Sequence, residues 1–311
     1  MDSLLLALAV ALSFVFGWNN SSLLIGNVRG SGTLSYGTII ALAVAGLLLG
    51  SLLEGPKMVG SLVGSIAPSA SVSALLATIL VSLALTLAMT LLDLPVSFSM
   101  VMVGAFIGAT LASDVTLNAA RSLQVVAFWF VAPLGTAALT YFIYRGTKSA
   151  VSGLGLLAAD SLNRSGAFIS AFAVSYTLGA NNIGMFFGSV GGASGLLAEG
   201  EDFTLLALAA ILGVILLGRN SLGGMVGDRM LALSPQGVFS AFVASSILVW
   251  TGTQLALPVS ITQCLIGGML GAAFTRHVSI VNTRLVAETV SLWVLAPVVA
   301  LGLAFLLALA L

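Results

Sequence analysis

Charged residues are scarce in this chain. Only 6% of its 311 residues are charged, ten basic and ten acidic, whereas 59% are hydrophobic. Because a soluble domain needs about a quarter of its residues charged, the composition excludes a soluble protein. The balanced charge also lacks the basic patch that nucleic-acid-binding proteins use. We therefore expect an integral protein of the lipid bilayer that has no nucleic-acid partner.

Cysteine and histidine are almost absent as well. Cys264 is the single cysteine and His277 the single histidine. One cysteine cannot form an intramolecular disulfide, and a cysteine or histidine metal cage needs several such ligands. A membrane-embedded enzyme would need a nucleophile beside a base, or clustered histidines and acids. The composition therefore argues against an enzyme, and we predict neither a metal ion nor a cofactor.

Long apolar segments fill the chain from end to end. Their length and spacing predict an all-α integral membrane protein with about five transmembrane segments in each half. The predicted segments are 3–26, 37–54, 70–92, 96–113 and 122–144 in the first half, and 166–190, 203–218, 236–256, 259–275 and 287–311 in the second half.

The two halves share sequence elements in the same order. Leu94–Ser97 (Leu-Pro-Val-Ser) recurs 163 positions later as Leu257–Ser260, and each copy has two glycines behind it. Gly17–Asn20 recurs in looser form as Gly179–Asn182, and the pair Trp129 and Pro133 recurs as Trp293 and Pro297. An internal duplication in so apolar a chain is typical of a secondary transporter whose substrate site lies between the repeats.

An odd number of segments in each repeat requires that the second copy enter the membrane upside down. The sequence therefore predicts two inverted-topology repeats that together form one transport unit. Residues 1–148 form the first repeat, residues 149–165 a polar cytoplasmic connector, and residues 166–311 the second repeat.

Basic residues divide unequally between the two sides of the predicted membrane. The richer side carries eight of them and the other carries only Lys57 and Arg121. Because cytoplasmic loops are enriched in lysine and arginine, we place the richer side in the cytoplasm. Both termini then lie on the outer side of the cytoplasmic membrane. The eight residues are Arg29, Arg145, Lys148, Arg164, Arg219, Arg229, Arg276 and Arg284.

Two kinds of segment look unlike simple spanning helices. The pairs Asn19–Asn20 and Asn181–Asn182 lie within or just after apolar runs and are followed by glycine-rich tails, so we expect the helices to break there. The Pro-Val-Ser segments begin apolar runs of about 15 residues, roughly 22 Å, which is short of a full hydrocarbon core. These runs predict half-helices or short spans. The N-termini of such helices are ready-made anion sites.

At these residues the sequence resembles the inorganic phosphate transporter (PiT) family, including its sulfate permease relatives. Gly179–Gly188 resembles the family signature Gly-Ala-Asn-Asp-Val-Ala-Asn-Ala-Phe-Gly, and Gly17–Gly26 matches it more loosely. Leu94–Ser99 and Leu257–Gln263 are similar to the family segment Gly-Leu-Pro-Val-Ser-Thr-Thr-His. The two Trp-x-x-x-Pro elements resemble a late element of the family.

The resemblance implies a secondary active transporter of an inorganic oxyanion that works by alternating access. Phosphate is the first expectation for the substrate and sulfate the alternative, and a passive anion channel is a third reading because the same cavity would conduct if both gates opened. The implied partners are a coupling proton or sodium ion and a second copy of the chain in a homodimer.

The departures from the family pattern affect ion coupling. Asn20 and Asn182 stand where the family signature carries aspartate, so we expect transport not to require sodium. Glu54 and Glu288 are then the candidate acids for proton coupling, because an acid near an apolar span often marks a proton path. Phe98–Met100 and Ile261–Gln263 replace the family's Thr-Thr-His, which leaves phosphate and sulfate both open.

The candidate site residues are short amides and hydroxyls in the repeated elements. An intramembrane asparagine can also simply bond a neighbouring helix, a contact worth about 0.6 kcal/mol, but two adjacent pairs in matching places favour a binding role. The substrate-binding candidates are Asn19, Asn20, Ser21, Ser97, Ser99, Asn181, Asn182, Ser260, Thr262 and Gln263, and the ion-coupling candidates are Asn20, Asn182, Glu54 and Glu288.

Overall fold

The fold is a bundle of long helices. A computed structural model describes residues 2–30, 32–92, 94, 96–113, 115–190, 201–218, 233–276 and 282–311. All regular structure within these ranges is helical. The helices are α1 (Asp2–Gly30), α2 (Tyr36–Glu54), α3 (Val72–Leu91), α4 (Phe98–Ala112), α5 (Ala119–Ser152), α6 (Leu156–Val190), α7 (Glu201–Leu217), α8 (Pro235–Gln254), α9 (Ile261–Arg276) and α10 (Thr283–Ala310), with a 3₁₀ turn at Gly55–Met58 after α2.

These helices coincide one for one with the predicted apolar segments. Among the described ranges, α1, α2 with its 3₁₀ turn, α3, α5 and α10 are long and apolar enough to cross a membrane, whereas α4, α7 and α9 are apolar but shorter. The prediction of an all-α, multi-pass membrane protein is confirmed. Between the two halves, α5 ends at Ser152 and α6 begins at Leu156, so most of the predicted connector 149–165 is helical.

Matching residues begin matching helices in the two halves. The Ser71 side chain accepts a hydrogen bond from the amide of Ala74 at the start of α3, and Ser234 does the same with Gly237 at the start of α8. A short polar side chain at this position satisfies an amide that has no partner within the helix. Asn118 before α5 and Asn282 before α10 form a second pair of equivalent caps.

Each helix of the first half has a counterpart five helices later, and the counterparts make the same contacts between helices. Helix α1 packs on α7 as α6 packs on α2, and α4 packs on α10 as α9 packs on α5. Equivalent glycines allow two of these contacts: a Cβ atom at Gly104 would collide with the carbonyl oxygen of Pro297, and one at Gly267 with that of Pro133. Small residues let helix backbones approach closely in membranes. This repeated set of helix contacts is expected of a duplicated chain. The inverted orientation of the two repeats stays a prediction.

The expected breaks at the asparagine pairs are wrong. Helix α1 runs through Asn19–Asn20 for 29 residues in all, and α6 runs through Asn181–Asn182 for 35. Asn20 Nδ2 donates to the carbonyl of Phe16 at 3.0 Å, and Asn182 Nδ2 donates to that of Leu178 at 3.2 Å. Because these side-chain amides bond one turn back along their own helix, no unwinding is needed. The glycine-rich tail at 191–200 lies outside the described residues.

The expectation of short helices after the Pro-Val-Ser segments is confirmed. Helix α4 has 15 residues and α9 has 16, which corresponds to roughly 22–24 Å of helix. Ser97 caps α4, and the hydroxyl oxygen of Ser260 accepts from the amide of Gln263 at 3.1 Å at the start of α9. Both helices therefore begin inside the bundle on a repeated serine.

Candidate functional site: a polar centre between the two halves

The first asparagine of each pair reaches a threonine on a neighbouring helix. Asn19 Nδ2 donates to Thr90 Oγ1 in α3 at 2.7 Å, and Asn181 Nδ2 donates to Thr253 Oγ1 in α8 at 3.0 Å. Each threonine hydroxyl donates in turn to a carbonyl of its own helix. We did not identify these threonines from the sequence, although the 163 positions between them match the spacing of the Pro-Val-Ser copies.

Asn181 also fixes the segment that leads into α9. Its Nδ2 donates to the carbonyl of Leu257 at 3.1 Å, and its Oδ1 accepts from the amide of Val259 at 3.0 Å. Trp129 Nε1 in α5, from the first half, donates to the carbonyl of Pro258 at 3.1 Å. The backbone before α9 is thus held by side chains from both halves of the chain, which aligns the N-terminus of α9.

Ser99 joins the start of α4 to the second half of the chain. Its hydroxyl lies 2.8 Å from Asn182 Oδ1 and 2.9 Å from the carbonyl oxygen of Val259. A serine hydroxyl has one proton, so it can donate fully to only one of these acceptors at a time. Three oxygen atoms therefore gather where the N-terminal ends of α4 and α9 approach each other.

The chemistry of this centre suits both an anion and a small cation. The first amides of α4 and α9 have no carbonyl partner within their own helices, and the positive ends of both helix dipoles lie here. Such amides bind oxyanions. The oxygens of Ser99, Asn182 and Val259 are hard ligands of the kind that alkali and alkaline-earth cations accept.

The polar centre is closed to solvent. Nine of the ten candidate side chains are at most 4% exposed, and only Asn19 is partly exposed. Phe16, Phe98 and Phe186 pack beside it with ring centroids 4.6–5.1 Å apart. The repeated elements do not indicate this aromatic cluster, because the equivalents of Phe16 and Phe98 in the second half are Leu178 and Ile261. An ion can enter only if these packed groups move.

The sequence profile of the phosphate transporter family matches residues 16–304 of the chain. The chain belongs to the phosphate transporter family. The proteins of this family are transporters and not enzymes, so the prediction of a non-enzymatic transporter is confirmed.

Individual relatives agree with this assignment. The transporter is 28% identical to a candidate phosphate permease of Methanocaldococcus jannaschii, over 97% of this chain and 95% of that protein. It is 24% identical to a sulfate permease of Bacillus subtilis, over 70% of this chain and 60% of that protein. Its fold matches the solved structure of a sodium-dependent phosphate transporter with a TM-score of 0.84, over 99% of this chain and 98% of that one, at 16% identity.

Other candidate residues of the transporter make local contacts or are buried in the short helices. Ser21 donates to the carbonyl of Trp18 at 2.6 Å, and Ser97 and Ser260 cap their helices. Thr262 is buried in the first turn of α9. Gln263 is buried in the same turn, and its Oε1 has no partner within the described part of the chain.

The two acidic candidates lie in different places. Glu288 is 54% exposed and pairs with Arg284 at 2.8 Å on the first turns of α10. Glu54 ends α2 and pairs with Lys57 Nζ at 2.6 Å, and Gln254 Nε2 donates to the same carboxylate oxygen at 2.7 Å. The turn that follows Glu54 carries Met58, whose sulfur lies 3.7 Å from Asn181 Nδ2.

Some positions discussed from the sequence cannot be placed. His277, Arg219 and Arg229 lie outside the described residues.

The two basic residues assigned to the outer side both bond to the end of α8 and the residues that follow it. Lys57 joins the Glu54 and Gln254 side chains, and Arg121 Nη2 donates to the carbonyls of Leu255 and Ala256 at 2.7 and 2.8 Å.

Proposed function

We propose that this protein is a secondary active transporter that moves inorganic phosphate across the cytoplasmic membrane by alternating access. Family membership supports the transporter class. The observation that carries the proposal is the contact of Ser99 with both Asn182 and the carbonyl of Val259, because it brings two helix N-termini and an asparagine pair to one buried point.

We propose that the anion is held by neutral donors. The side-chain amide of Asn181 would turn from its present protein acceptors to phosphate oxygens, which would also accept from the first backbone amides of α4 and α9. A buried anion without a cationic side chain is costly, and the two helix dipoles offset only part of that cost. A co-transported proton or cation would supply the missing positive charge.

Glu54 is better placed than Glu288 to couple a proton. Glu54 is 17% exposed and is connected to Asn181 through the turn Gly55–Met58, whereas Glu288 is exposed to the surroundings. Proton paths in transporters use acids near the substrate site. In this proposal the pair Glu54 and Lys57 rearranges when the anion enters.

A difference between the two halves favours a carrier over a channel. Trp129 Nε1 is bonded to the carbonyl of Pro258, but Nε1 of the equivalent Trp293 is buried without a partner in the described structure. In a carrier built from an inverted repeat, equivalent residues of the two halves are expected to make different contacts when one gate is closed. The closed polar centre is likewise expected of a carrier between its two open states.

Purified protein in liposomes provides the test. We expect labelled phosphate to accumulate, and internal unlabelled phosphate to drive counterflow of external label, which an open pore does not support. Uptake without counterflow would show a channel. If phosphate, sulfate, arsenate and molybdate all fail to bind or accumulate, the proposal is wrong.

Sulfate is the second candidate substrate. The similarity to a sulfate permease supports it, and so does a polar centre built from amides and hydroxyls, which suits a fully ionised anion. Competition decides between the two: unlabelled phosphate should inhibit phosphate uptake at lower concentration than unlabelled sulfate does. The reverse order would assign the protein as a sulfate transporter.

A further inference from the structure

A groove with one basic and one apolar end follows the outer face of α5. At the C-terminal part of α5, Arg145 and Lys148 border a cavity of about 530 Å³. The other residues that line it are Tyr141, Tyr144, Ser149 and Ser152 of α5, with Phe274 and Thr275 of α9.

The same face of α5 continues into an apolar cavity of about 340 Å³. Phe130, Leu134 and Ala137 line it from α5, at the spacing of three and four residues that places side chains on one side of a helix. Phe274 borders both cavities, so they lie next to each other along α5 and α9, and we describe them together as one groove.

The two basic side chains at one end have no acidic partner among the described residues. Arg145 Nη1 donates to the hydroxyl of Tyr141 at 2.9 Å and lies over its ring, but no described carboxylate pairs with Arg145 or Lys148. Arg164 and Arg284, in contrast, each pair with an acid one turn away. The basic end of the groove therefore keeps donors for an anion.

The apolar part of the groove has the length of one membrane leaflet. From Phe130 to Tyr141 the helix rises roughly 16 Å, close to half of a hydrocarbon core of about 30 Å. Leu134 is 72% exposed and Phe274 is 73% exposed, so in a bilayer both would contact lipid chains. Tyr141 lies where aromatic side chains gather at the membrane interface.

We propose that this groove binds an anionic phospholipid. The phosphodiester lies between Arg145 and Lys148, and an acyl chain follows α5 past Phe274 to Phe130. Basic pockets between transmembrane helices on the cytoplasmic side recognise such headgroups, and this end of α5 is the side that the basic-residue count places in the cytoplasm. The inner end of the groove reaches Gln263, in the first turn of the helix whose N-terminus borders the polar centre.

Lipid binding to the detergent-purified protein tests the proposal. Native mass spectrometry and thermal unfolding would be followed with phosphatidylglycerol and with phosphatidylcholine of identical chains. We expect retained lipid and a raised unfolding temperature with phosphatidylglycerol only. Arg145→Gln with Lys148→Gln should weaken this binding about 30-fold, because each basic side chain near a lipid surface contributes about fivefold. The matched control Arg164→Gln with Arg284→Gln removes the same charge elsewhere and should leave binding unchanged.

Three results would overturn the lipid assignment. Equal binding of both lipids would show that charge does not select the ligand. An equal effect of inorganic phosphate or of glycerophosphoglycerol, which has no acyl chains, would show an anion site without a lipid groove. Loss of a dimer in Leu134→Lys, with phosphatidylglycerol binding unchanged, would show that the groove is a contact between two copies. Unfolding temperatures without lipid verify that each variant folds.

Discussion

The hydroxyl of Ser99 in α4 donates to Asn182 Oδ1 in α6 at 2.8 Å, across 83 positions of the chain. Ser99 belongs to the first half and Asn182 to the second, and both side chains are at most 3% exposed. The same hydroxyl also lies against the carbonyl of Val259. A single buried serine therefore connects the start of one short helix, the asparagine pair of the other half and the loop before the second short helix.

We expect Ser99→Ala to reduce phosphate uptake about tenfold or more. The substitution leaves Asn182 Oδ1 or the Val259 carbonyl without a donor, and a buried unpaired acceptor costs about 1–3 kcal/mol. Uptake in liposomes and the unfolding temperature would both be measured. Ser99→Thr restores a hydroxyl, as Thr262 supplies in the second half, and should recover part of the activity.

Ser291→Ala is the matched control for Ser99. The Ser291 hydroxyl donates to Ala287 within α10 and is exposed, so its removal should change uptake by less than about twofold. Equal uptake by Ser99→Ala and the unchanged protein would show that the bridge across the two halves has no part in transport.

Gly104→Ala and Gly267→Ala should each lower the yield of folded protein and its unfolding temperature. The added methyl group would meet the backbone carbonyl of Pro297 or Pro133, which cannot move without separating two packed helices. Overpacking of this kind costs about 1–3 kcal/mol. Gly302→Ala is the control, because a Cβ there meets no atom within 4 Å. Destabilisation by Gly302→Ala equal to that of the other two would show that close helix approach is not the cause.

Cysteine labelling tests the orientation in the membrane. The single Cys264 is fully buried and would first be replaced by alanine. A new cysteine at Ser149, near the end of α5, should be protected from an impermeant reagent in intact cells, and one at Leu311 should react. Reaction at Ser149 with protection at Leu311 would reverse the topology that the basic residues predict.

Transport should not require sodium. Asn20 and Asn182 offer amide oxygens but no net negative charge, and without a carboxylate the desolvation of a sodium ion is poorly offset. Uptake would be measured with choline in place of sodium at fixed pH, and then with an imposed pH gradient at constant sodium. Strict dependence on sodium would contradict this prediction and would point to the oxygens of Ser99, Asn182 and Val259 as a cation site. Sodium dependence that is gained in Asn182→Asp would support it.

The sequence by itself determined where the helices lie and that the two halves are an internal duplication. Apolar runs of membrane length can satisfy their backbone only as helices, so their positions follow from composition and periodicity alone. The caps at Ser71 and Ser234 and the short helices after Pro-Val-Ser are local as well, because the deciding contacts span three or four residues. Repeated spacing then indicated that Asn181 and Ser260 belong to one shared site.

Only the tertiary structure decided how the polar residues are used. The helices do not break at the asparagines, because Asn20 and Asn182 bond back along their own helices while Asn19 and Asn181 bond to threonines of α3 and α8. The contact of Ser99 with Asn182, the position of Gln263 in an apolar groove and the contact of Glu54 with Gln254 depend on which helix faces pack together. Periodicity assigns a residue to a helix, but its partners are set by contacts between helices far apart in the chain, and a single sequence does not encode those contacts locally.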